Sequence, residues 1–367
     1  MSQTAPEIAY YSPCLQGSLS MAVLQRLCGG TFVSNRNSTL KTFRSLYPDV
    51  KTTKRYRHCD WIGGHKVLQK SDIIFSGATY GKYLPQFFAK KCLVFHGTYG
   101  SIPERVMEGW KDFDHLFLNG PRMERHLLRY NDKYNLKYSI PGHIPFALYP
   151  ERTKENRLMI LQKLGLNSDK KTVVYTPSRS TIGTWLHCAE DIANQTPDQY
   201  NLVLRPHPNQ VHSGKSKDRA SFKRVNRIVE QRQDSLIDLS ICSLPELECV
   251  ADLMISDANS PAEESLFYDC PQLFADANQS GRSTLREYMI QDQVNEEDVE
   301  SFLELFDCGP SRYADGFENW AEAINYAVSR KDQFAAARSK TYKYIFGERG
   351  ANAAKHVKNS LNQLIFE

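Results

Sequence analysis

Four short apolar segments of the sequence are each followed at once by residues that can bind or transfer charged groups. They are followed by His96-Gly97-Thr98, Thr176-Pro177-Ser178-Arg179-Ser180, Arg205-Pro206-His207-Pro208 and Asp257-Ala258-Asn259-Ser260. Open α/β sheets bind their ligands at the carboxyl ends of the strands. If the apolar segments are strands, these four positions are therefore the first candidates for a functional site.

His96 has the features of a general base. An unperturbed imidazole has a pKa of about 6.5 and can accept a proton near neutral pH. Gly97 lets the backbone turn sharply beside the ring. The alternative is a histidine that is hydrogen-bonded within its loop and has no chemical role. Considered with the other three segments, we favour His96 as a catalytic base.

Arg205 and His207 flank Pro206 on a segment that must end its strand, because proline cannot donate to a sheet. The guanidinium offers several donors to phosphate oxygens, and the imidazole adds another when an anion lies close. The alternative is an exposed arginine and a histidine stacked on proline. The spacing favours the binding of a diphosphate by Arg205 and His207.

The segment from Asp257 to Glu264 is typical of a strand end, a tight turn and a helix start. We expect Ser260 to cap a helix that opens at Pro261, with Glu263 completing a capping box. The same helix start would offer backbone N–H groups to a phosphate. Glu264, one turn into the helix, could accept hydrogen bonds from the hydroxyls of a ribose.

Ser178, Arg179, Ser180 and Thr181 form a hydroxyl-rich turn with one guanidinium. Such a turn can hold a donor phosphate or base, or can merely cap the next helix, and the sequence leaves both alternatives open. Neither G-x-G-x-x-G nor G-x-x-x-x-G-K-[ST] occurs. Their absence argues against a dinucleotide-dependent dehydrogenase and a P-loop NTPase.

The elements that must position these residues alternate between strand and helix patterns in two series, which favours parallel, doubly wound sheets. The first series has strands at Glu7–Ser12, Asp72–Ser76, Lys91–His96 and Asp114–Asn119 and helices at Ser18–Leu27, Tyr83–Ala89 and Pro121–Tyr130. The second has strands at Thr172–Thr176, Tyr200–Arg205, Ser235–Leu239, Asp252–Ser256 and Gln272–Ala275 and helices at Glu155–Leu164, Thr184–Asn194, Ser221–Gln231, Leu244–Val250 and Pro261–Tyr268.

The fold class predicted is α/β, with two Rossmann-like domains whose parallel sheets face a central cleft. The predicted boundaries are residues 1–150 for an acceptor domain and 151–340 for a nucleotide-donor domain. The helical segment 341–367 is expected to cross back to the first domain.

Composition excludes several classes of protein. The 367 residues carry 46 basic and 42 acidic side chains, and we take the net charge of +4 as spread along the chain, so no nucleic acid partner is expected. Nine cysteines without a C-x-x-C pair argue against disulfides or zinc. No apolar run approaches 18 residues. We therefore expect a cytoplasmic protein without a metal or cofactor, and leave a peripheral contact with the inner face of the membrane open.

The motifs, taken in this order, resemble the CDP-glycerol glycerophosphotransferase family, which builds or primes teichoic acids and related cell-surface polymers. The resemblance runs from about Ile73 to Ile365. It rests on Val94-Phe95-His96-Gly97-Thr98, Tyr175-Thr176-Pro177 after Leu164-Gly165-Leu166, Leu204-Arg205-Pro206-His207-Pro208, Ser256-Asp257 with Ser260 and Glu264, and Gly350-Ala351-Asn352-Ala353-Ala354.

This resemblance implies a GT-B fold and the metal-independent transfer of glycerol phosphate from CDP-glycerol to an acceptor hydroxyl, with release of CMP. It implies catalytic roles for His96, as the base on the acceptor side, and for His207, which would bind the donor diphosphate with Arg205. The full set of donor-binding candidates is Gly97, Thr98, Ser178, Arg179, Arg205, Asp257, Ser260 and Glu264. The implied partners are the nucleotide-activated donor and a glycan or glycerol-phosphate acceptor, which could be lipid-linked.

The sequence departs from the family pattern at three places. Tyr99-Gly100-Ser101-Ile102-Pro103 replaces the usual proline and basic residue, Asn259 replaces a serine, and Glu264 stands where aspartate is frequent. The acceptor and the transferred group are therefore left open. Two alternatives remain. The first is an enzyme with another activity, either a sugar transferase for capsule or lipopolysaccharide or a UDP-sugar 2-epimerase-like enzyme. The second is a non-catalytic nucleotide-binding protein.

Overall fold

The structure is a computed structural model that describes residues 6–15, 17–56, 61–80, 83–95, 97–179, 182–211, 214–239, 242–277, 280–349 and 353–366. The chain divides into two compact units. The N-terminal unit comprises Met1–Leu148 and Lys343–Glu367, and the C-terminal unit comprises Tyr149–Tyr342. Each unit contains one parallel sheet.

The N-terminal unit contains a seven-stranded sheet in the order β3-β2-β1-β4-β5-β6-β7. Its strands are β1 (Ile8–Tyr11), β2 (Thr31–Ser34), β3 (Thr52–Lys54), β4 (Ile73–Ser76), β5 (Lys90–Val94), β6 (His115–Phe117) and β7 (Tyr138–Ser139). Its helices before the crossing are α1 (Ser18–Cys28), α2 (Asn37–Leu46), α3 (Gly63–Lys70), α4 (Glu104–Met107) and α5 (Pro121–Tyr134), with 3₁₀ turns at Leu84–Gln86 and Ile144–Leu148.

Strands β1, β2 and β4 are buried along their whole length. On one face of the sheet Tyr10 packs with Phe32 and Phe75, while on the other Tyr11 packs with Val33 and Ile74. Because successive side chains of a strand point to opposite faces, a strand covered by helices on both sides must be apolar throughout. This is why the strand segments are continuous apolar runs.

The C-terminal unit contains a five-stranded parallel sheet in the order β10-β9-β8-β11-β12. Its strands are β8 (Lys171–Thr176), β9 (Tyr200–Leu204), β10 (Ser235–Ile237), β11 (Leu253–Ser256) and β12 (Gln272–Phe274). Its helices are α6 (Lys154–Leu164), α7 (Trp185–Gln195), α8 (Pro208–Val211), α9 (Ser216–Glu230), α10 (Leu244–Val250), α11 (Ser260–Ser265), α12 (Arg282–Gln291), α13 (Glu296–Leu303) and α14 (Trp320–Ser329), with 3₁₀ turns at Leu266–Tyr268, Glu304–Cys308 and Lys331–Phe334.

The chain returns to the N-terminal unit through α15 (Ala335–Phe346), and α16 (Ala353–Phe366) follows. The return is anchored by contacts of the residues just past the crossing. Phe346 packs edge to face on Phe146, with ring centroids 4.8 Å apart, and the Tyr344 ring lies 4.7 Å from the Arg125 guanidinium. Within the described ranges, no helix is both long and apolar enough to span a membrane.

Both sheets have a point at which the strand order reverses. In the N-terminal unit β1 lies between β2 and β4, and in the C-terminal unit β8 lies between β9 and β11. Open sheets leave a crevice for ligands outside the carboxyl ends of the strands at such a point. In the C-terminal unit the strands at this point end at Thr176 and Ser256, which are paired in register.

The prediction of two α/β series with parallel sheets is confirmed, and most predicted strands and helices match within two or three residues. Two expectations are wrong. The two predicted series contain no element between residues 31 and 70, where the structure has β2, α2, β3 and α3. The helix predicted over Tyr83–Ala89 is a single 3₁₀ turn, Leu84–Gln86, and the chain is already extended at Phe87.

Candidate active site

The carboxyl ends of β9, β8 and β11 lie side by side and bring together most of the candidate residues. These strands are neighbours in the sheet and run parallel, so the loops that leave them share one edge. The candidates on these loops and on the helix that follows β11 are Ser178, Arg179, Arg205, His207, Asp257, Ser260 and Glu264. Ser180 and Thr181 lie outside the described residues.

Asp257 is 4% exposed and joins the end of β11 to the loop after β8. Its Oδ2 accepts the backbone N–H groups of Ser178 at 2.6 Å and Thr184 at 3.0 Å, and its Oδ1 accepts the Thr184 hydroxyl. Burial raises the pKa of Asp257 to about 6, and these three hydrogen bonds oppose the rise. The carboxylate thus shapes the site, while its contact with a donor stays a prediction.

The turn after β11 differs from the expected one at its helix cap. Ala258 has φ 53°, a left-handed conformation that turns the chain early, and Asn259 is the N-cap of α11. The Asn259 side chain accepts the Ala262 N–H at 3.3 Å and donates to the Thr176 carbonyl at 2.8 Å. The prediction that Ser260 is the cap, with Glu263 completing a capping box, is therefore wrong. Ser260 is the first residue of α11, and its phosphate contact stays a prediction.

Arg205 directs part of its guanidinium into the protein. Its Nη1 forms an ion pair with the fully buried carboxylate of Asp238 and donates to the Cys242 carbonyl at 2.9 Å. A buried carboxylate without a cation would be costly, so Arg205 has a structural function beside any contact with substrate. Its predicted contact with a diphosphate is not tested by this geometry.

His207 is half-buried directly before α8. Burial, and after it the charge of Arg179, lower the pKa of the His207 imidazole below its ordinary value. Arg179 is exposed. Burial first, and the nearby cation second, therefore favour the neutral ring, and an anion bound beside the two side chains would favour its protonation. His207 and Arg179 have the electrostatics expected of a diphosphate site.

Glu264 is buried and belongs to a cluster of acidic side chains. The Tyr149 hydroxyl donates to its Oε2 at 3.4 Å. Burial, and then the charge of Glu263, raise the pKa of Glu264, and burial raises the pKa of the fully buried Glu248 as well. The carboxyl groups of Glu264 and Glu248 therefore resist ionisation, because a charge is costly in a low-dielectric interior. The ribose contact of Glu264 stays a prediction.

In the N-terminal unit, His96 lies outside the described residues. The carbonyls of the next two residues, Gly97 and Thr98, accept hydrogen bonds from side chains that were not among the predicted site residues. The Asn119 amide donates to the Gly97 carbonyl at 2.6 Å. Arg122, the second residue of α5, donates to the Thr98 carbonyl at 3.0 Å. Asn119 follows the end of β6, so the same strand-end argument that selected His96 would have identified it.

Two further expectations concern metals and cysteines. Over the ranges that the structure describes, no group of three or more His, Cys, Asp or Glu side chains is placed to hold a metal ion. The eight described cysteines are free thiols. Independence from metals and cofactors stays a prediction.

Comparison with solved structures defines the class of fold. The two parallel sheets match glycosyltransferases of the GT-B type, so the chain has the GT-B α/β fold with two Rossmann-like domains. One similar structure is the wall teichoic acid polymerase TagF, with a TM-score of 0.66 and 13% identity over 99% of this chain and 90% of that chain. No protein-family model and no curated protein matches the sequence.

Two other solved structures are similar over nearly the whole chain. Anabaena Alr3699/HepE in complex with UDP and glucose has a TM-score of 0.54 and 14% identity, over 98% of this chain and 99% of that chain. A glycosyltransferase from Rickettsia africae has a TM-score of 0.51 and 13% identity, over 99% of each chain. At these identities the likeness establishes the fold and leaves the activity to be inferred from the site.

Proposed function

We propose that the protein is a transferase that moves glycerol phosphate, or a related polyol phosphate, from CDP-glycerol to an acceptor hydroxyl. The observation that carries the proposal is the placement of Arg179 and His207 on the loops after β8 and β9, two neighbouring strands, at the carboxyl edge of the C-terminal sheet. The similarity to TagF, for which one structure carries a CDPG soak, supports the choice of donor. We expect the protein to act in the synthesis of a cell-surface polymer.

The chemistry is a displacement at phosphorus. His96 takes the proton of the acceptor hydroxyl, and the acceptor oxygen forms a bond to the phosphorus of the glycerol phosphate. The bond from this phosphorus to the bridging oxygen breaks, and the electron pair leaves with CMP. His207, protonated when the donor binds, and Arg179 offset the charge that develops on the leaving phosphate.

A second candidate function is sugar transfer from a UDP-linked donor. The similarity to Alr3699/HepE in complex with UDP and glucose favours it. The same residues would serve, because a UDP-sugar also presents a diphosphate to His207 and Arg179. The two candidate functions differ in the nucleobase of the donor, in the group that is transferred and in the nucleotide that is released.

The test is a comparison of donors. The protein is incubated with CDP-glycerol or UDP-glucose and with a glycerol-phosphate-primed or glycan acceptor, and release of CMP or UDP is measured. We expect CMP release that depends on the acceptor and is unaffected by EDTA. UDP release alone would support the second candidate, and binding without turnover of either donor would contradict both.

The base is tested by His96→Ala, with His187→Ala as the matched control because His187 is an exposed histidine on α7. Loss of a general base typically costs 10²–10⁴-fold in rate. We expect kcat/KM to fall at least about 100-fold for His96→Ala and to stay unchanged for His187→Ala. A loss of less than tenfold for His96→Ala would reject the proposed base.

A further inference from the structure

The C-terminal unit has a second concave region, at the edge of its sheet opposite to the candidate active site. It is a cavity of about 460 Å³, and its lining includes Lys171, Asp252 and Pro271. Lys171 is the first residue of β8, and Asp252 and Pro271 directly precede β11 and β12. Because these three strands are parallel neighbours, the cavity lies at their amino ends, whereas the candidate active site lies at carboxyl ends of the same sheet.

The lining of this cavity carries more positive than negative charge. It contains three carboxylates and six cations, which are Arg152, Lys154, Arg157, Lys171, Lys331 and Arg338. Asp252 forms an ion pair with Arg157 at 2.8 Å, and Asp269 forms one with Arg338 at 2.7 Å. Among the described lining residues, Asp332 is then the single carboxylate left for the four other cations. The excess of three positive charges favours an anionic ligand.

Three of these cations are held in place by the protein. Arg152, Arg157 and Arg338 each donate to backbone carbonyls. The acceptor of Arg157 is Val250 at 2.7 Å, and the acceptor of Arg338, which is 2% exposed, is Lys331 at 2.9 Å. Guanidinium groups fixed in this way lose little conformational entropy when they bind a ligand, and their planar forks suit phosphate oxygens.

The other three cations, Lys154, Lys171 and Lys331, are exposed lysines. Within the described part of the chain they form no ion pair. Lys154 is also the first residue of α6, an 11-residue helix whose N-terminus adds the positive end of its dipole. Like charges around one cavity repel one another, so an anion bound among them would be attracted by all of them and would offset the repulsion.

Both stretches of the C-terminal unit that adjoin the N-terminal unit in the chain contribute to the lining. Residues 152–157 follow the boundary at Tyr149, and residues 331–338 precede the boundary at Tyr342. The first stretch contains the start of α6, and the second contains the 3₁₀ turn before α15 and the start of α15. A ligand bound by both stretches would therefore connect the start of α6 with the start of α15.

We propose that this cavity, the α6/α15 pocket, binds a small anion with two linked phosphate groups at a site separate from the donor site. The pocket is defined by the six cations of its lining. Two phosphate groups carry about three negative charges near neutral pH, which matches the excess of positive charge in the lining. Ligand pockets typically have volumes of about 300–1,000 Å³, so a diphosphate fits the pocket whether it is inorganic or esterified to a nucleoside.

Stability of the fold explains only part of this lining. Arg157 and Arg338 balance the charges of Asp252 and Asp269, and that role needs no ligand. It leaves Arg152 and the three lysines, which are grouped around a concave surface with one remaining carboxylate. Lysines that only keep a surface soluble would be interspersed with acidic residues rather than grouped together.

Titration calorimetry with sodium pyrophosphate, in a buffer free of divalent cations, tests the pocket. We expect Lys154→Gln combined with Lys171→Gln to raise the Kd for pyrophosphate at least about tenfold, because two charged donors are lost. Both lysines are exposed, so the variant should fold as the wild type does, which circular dichroism checks. Lys66→Gln combined with Lys70→Gln, the same charge change on exposed residues of α3, is the control and should leave the Kd unchanged.

Two further probes define the ligand. Orthophosphate has one phosphate group and should bind at least about tenfold more weakly than pyrophosphate, since it reaches fewer of the cations. ADP separates an esterified from a free diphosphate, and its base differs from those of the candidate donors. Tighter binding of ADP assigns the pocket to a nucleotide, and tighter binding of pyrophosphate assigns it to an inorganic anion.

Hydrogen–deuterium exchange locates the binding. Pyrophosphate should slow the exchange of backbone amides in residues 152–157 and 331–338. Arg179→Gln alters the candidate donor site at the other edge of the sheet, and it should leave this protection unchanged. The exchange pattern therefore distinguishes the α6/α15 pocket from the donor site, which also suits a diphosphate.

Four results would overturn the proposal. They are absence of pyrophosphate binding, an unchanged Kd for the Lys154/Lys171 variant, equal affinities for orthophosphate and pyrophosphate, and exchange protection that is confined to the segment after β9 and lost in Arg179→Gln. The last result would assign the anion to the donor site. The measurements use neither CDP-glycerol nor an acceptor, so their outcome is independent of whether the proposed transferase activity is correct.

Discussion

The carboxylate of Asp257 accepts the backbone N–H of Ser178 at 2.6 Å. This bond connects the turn after β11 with the turn after β8, the two strands between which the order of the C-terminal sheet reverses. The position of the hydroxyl-rich turn that begins at Ser178 therefore depends on a residue far away in sequence.

Two substitutions of Asp257 should separate the contribution of its hydrogen bonds to stability from that of its negative charge. Asp257→Ala leaves the N–H groups of Ser178 and Thr184 without their acceptor, and each buried unsatisfied group costs about 1–3 kcal/mol. We expect a loss of about 3 kcal/mol in the free energy of unfolding. Asp257→Asn keeps an oxygen for the N–H groups and should cost about 1 kcal/mol. Urea unfolding followed by circular dichroism measures both, and equal losses would contradict the assigned hydrogen bonds.

The two functions of Arg205 can be separated by a double substitution. Arg205→Ala leaves Asp238 buried without its cation and should cost about 3–5 kcal/mol in stability. Adding Asp238→Ala removes that buried charge, so most of the stability should return. If Arg205 also binds the donor diphosphate, the stable double variant will still bind CDP-glycerol at least about tenfold more weakly in calorimetry. Full recovery of affinity would restrict Arg205 to its structural function.

Donor binding should weaken as pH rises because of His207. Its pKa is lowered in the unliganded protein by burial and by the charge of Arg179, and a bound diphosphate favours the protonated ring. Binding therefore takes up a proton between the low pKa of the unliganded state and the higher pKa of the complex. Calorimetry with CDP-glycerol, whose diphosphate does not titrate between pH 6 and 8, should show Kd rising by up to about tenfold per pH unit.

His207→Gln is the control for this prediction. It keeps a donor but cannot take up a proton, so its Kd should vary much less with pH. An identical pH dependence in the wild type and in His207→Gln would assign the effect to another group.

Glu264 should reduce stability at alkaline pH. Burial, and then the charge of Glu263, raise its pKa from 4.5 to about 8. The folded state therefore binds the proton more tightly than the unfolded state. The stability contributed by the neutral carboxyl is complete below pH 4.5 and is lost as pH rises to 8. Glu264→Gln stays neutral, so its Tm should equal that of the wild type near pH 4.5 and exceed it by about 4 °C at pH 8.

The exposed Glu287 of α12 supplies the control. Glu287→Gln should leave Tm unchanged at both pH values, because removing the charge of a solvated carboxylate changes the stability of the folded state little. Equal Tm values for Glu264→Gln and the wild type at pH 8 would show that Glu264 ionises without cost.

Asn119 should position the loop that follows the proposed base. It donates to the Gly97 carbonyl at 2.6 Å, so Asn119→Ala and Asn119→Asp both remove the donor. We expect kcat to fall about tenfold with little change in the KM for CDP-glycerol, because a misplaced base affects the chemical step. Steady-state kinetics measure the split, and a rise in KM with unchanged kcat would contradict the positioning role.

Much of the fold follows from local sequence patterns. The helix Leu244–Val250 has the predicted bounds, and the strand predicted at Thr172–Thr176 is one residue longer at its start. Apolar runs that end at proline or polar residues predict the buried strands, because both faces of these sheets are covered. The missed β3 is three residues long and polar, and it lies at the sheet edge, where burial imposes no apolar pattern.

The sequence by itself determined which residue types stand at the strand ends, and hence the class of ligand that they suit. Only the tertiary structure decided which of them contact one another: Arg205 pairs with Asp238, Asn119 holds Gly97, and Asn259 rather than Ser260 caps α11. The physical reason is that periodicity and turn chemistry are local, whereas these contacts depend on strand order and on backbone conformation at single residues. A cleft shared by the two units, with His96 facing the donor site, stays a prediction.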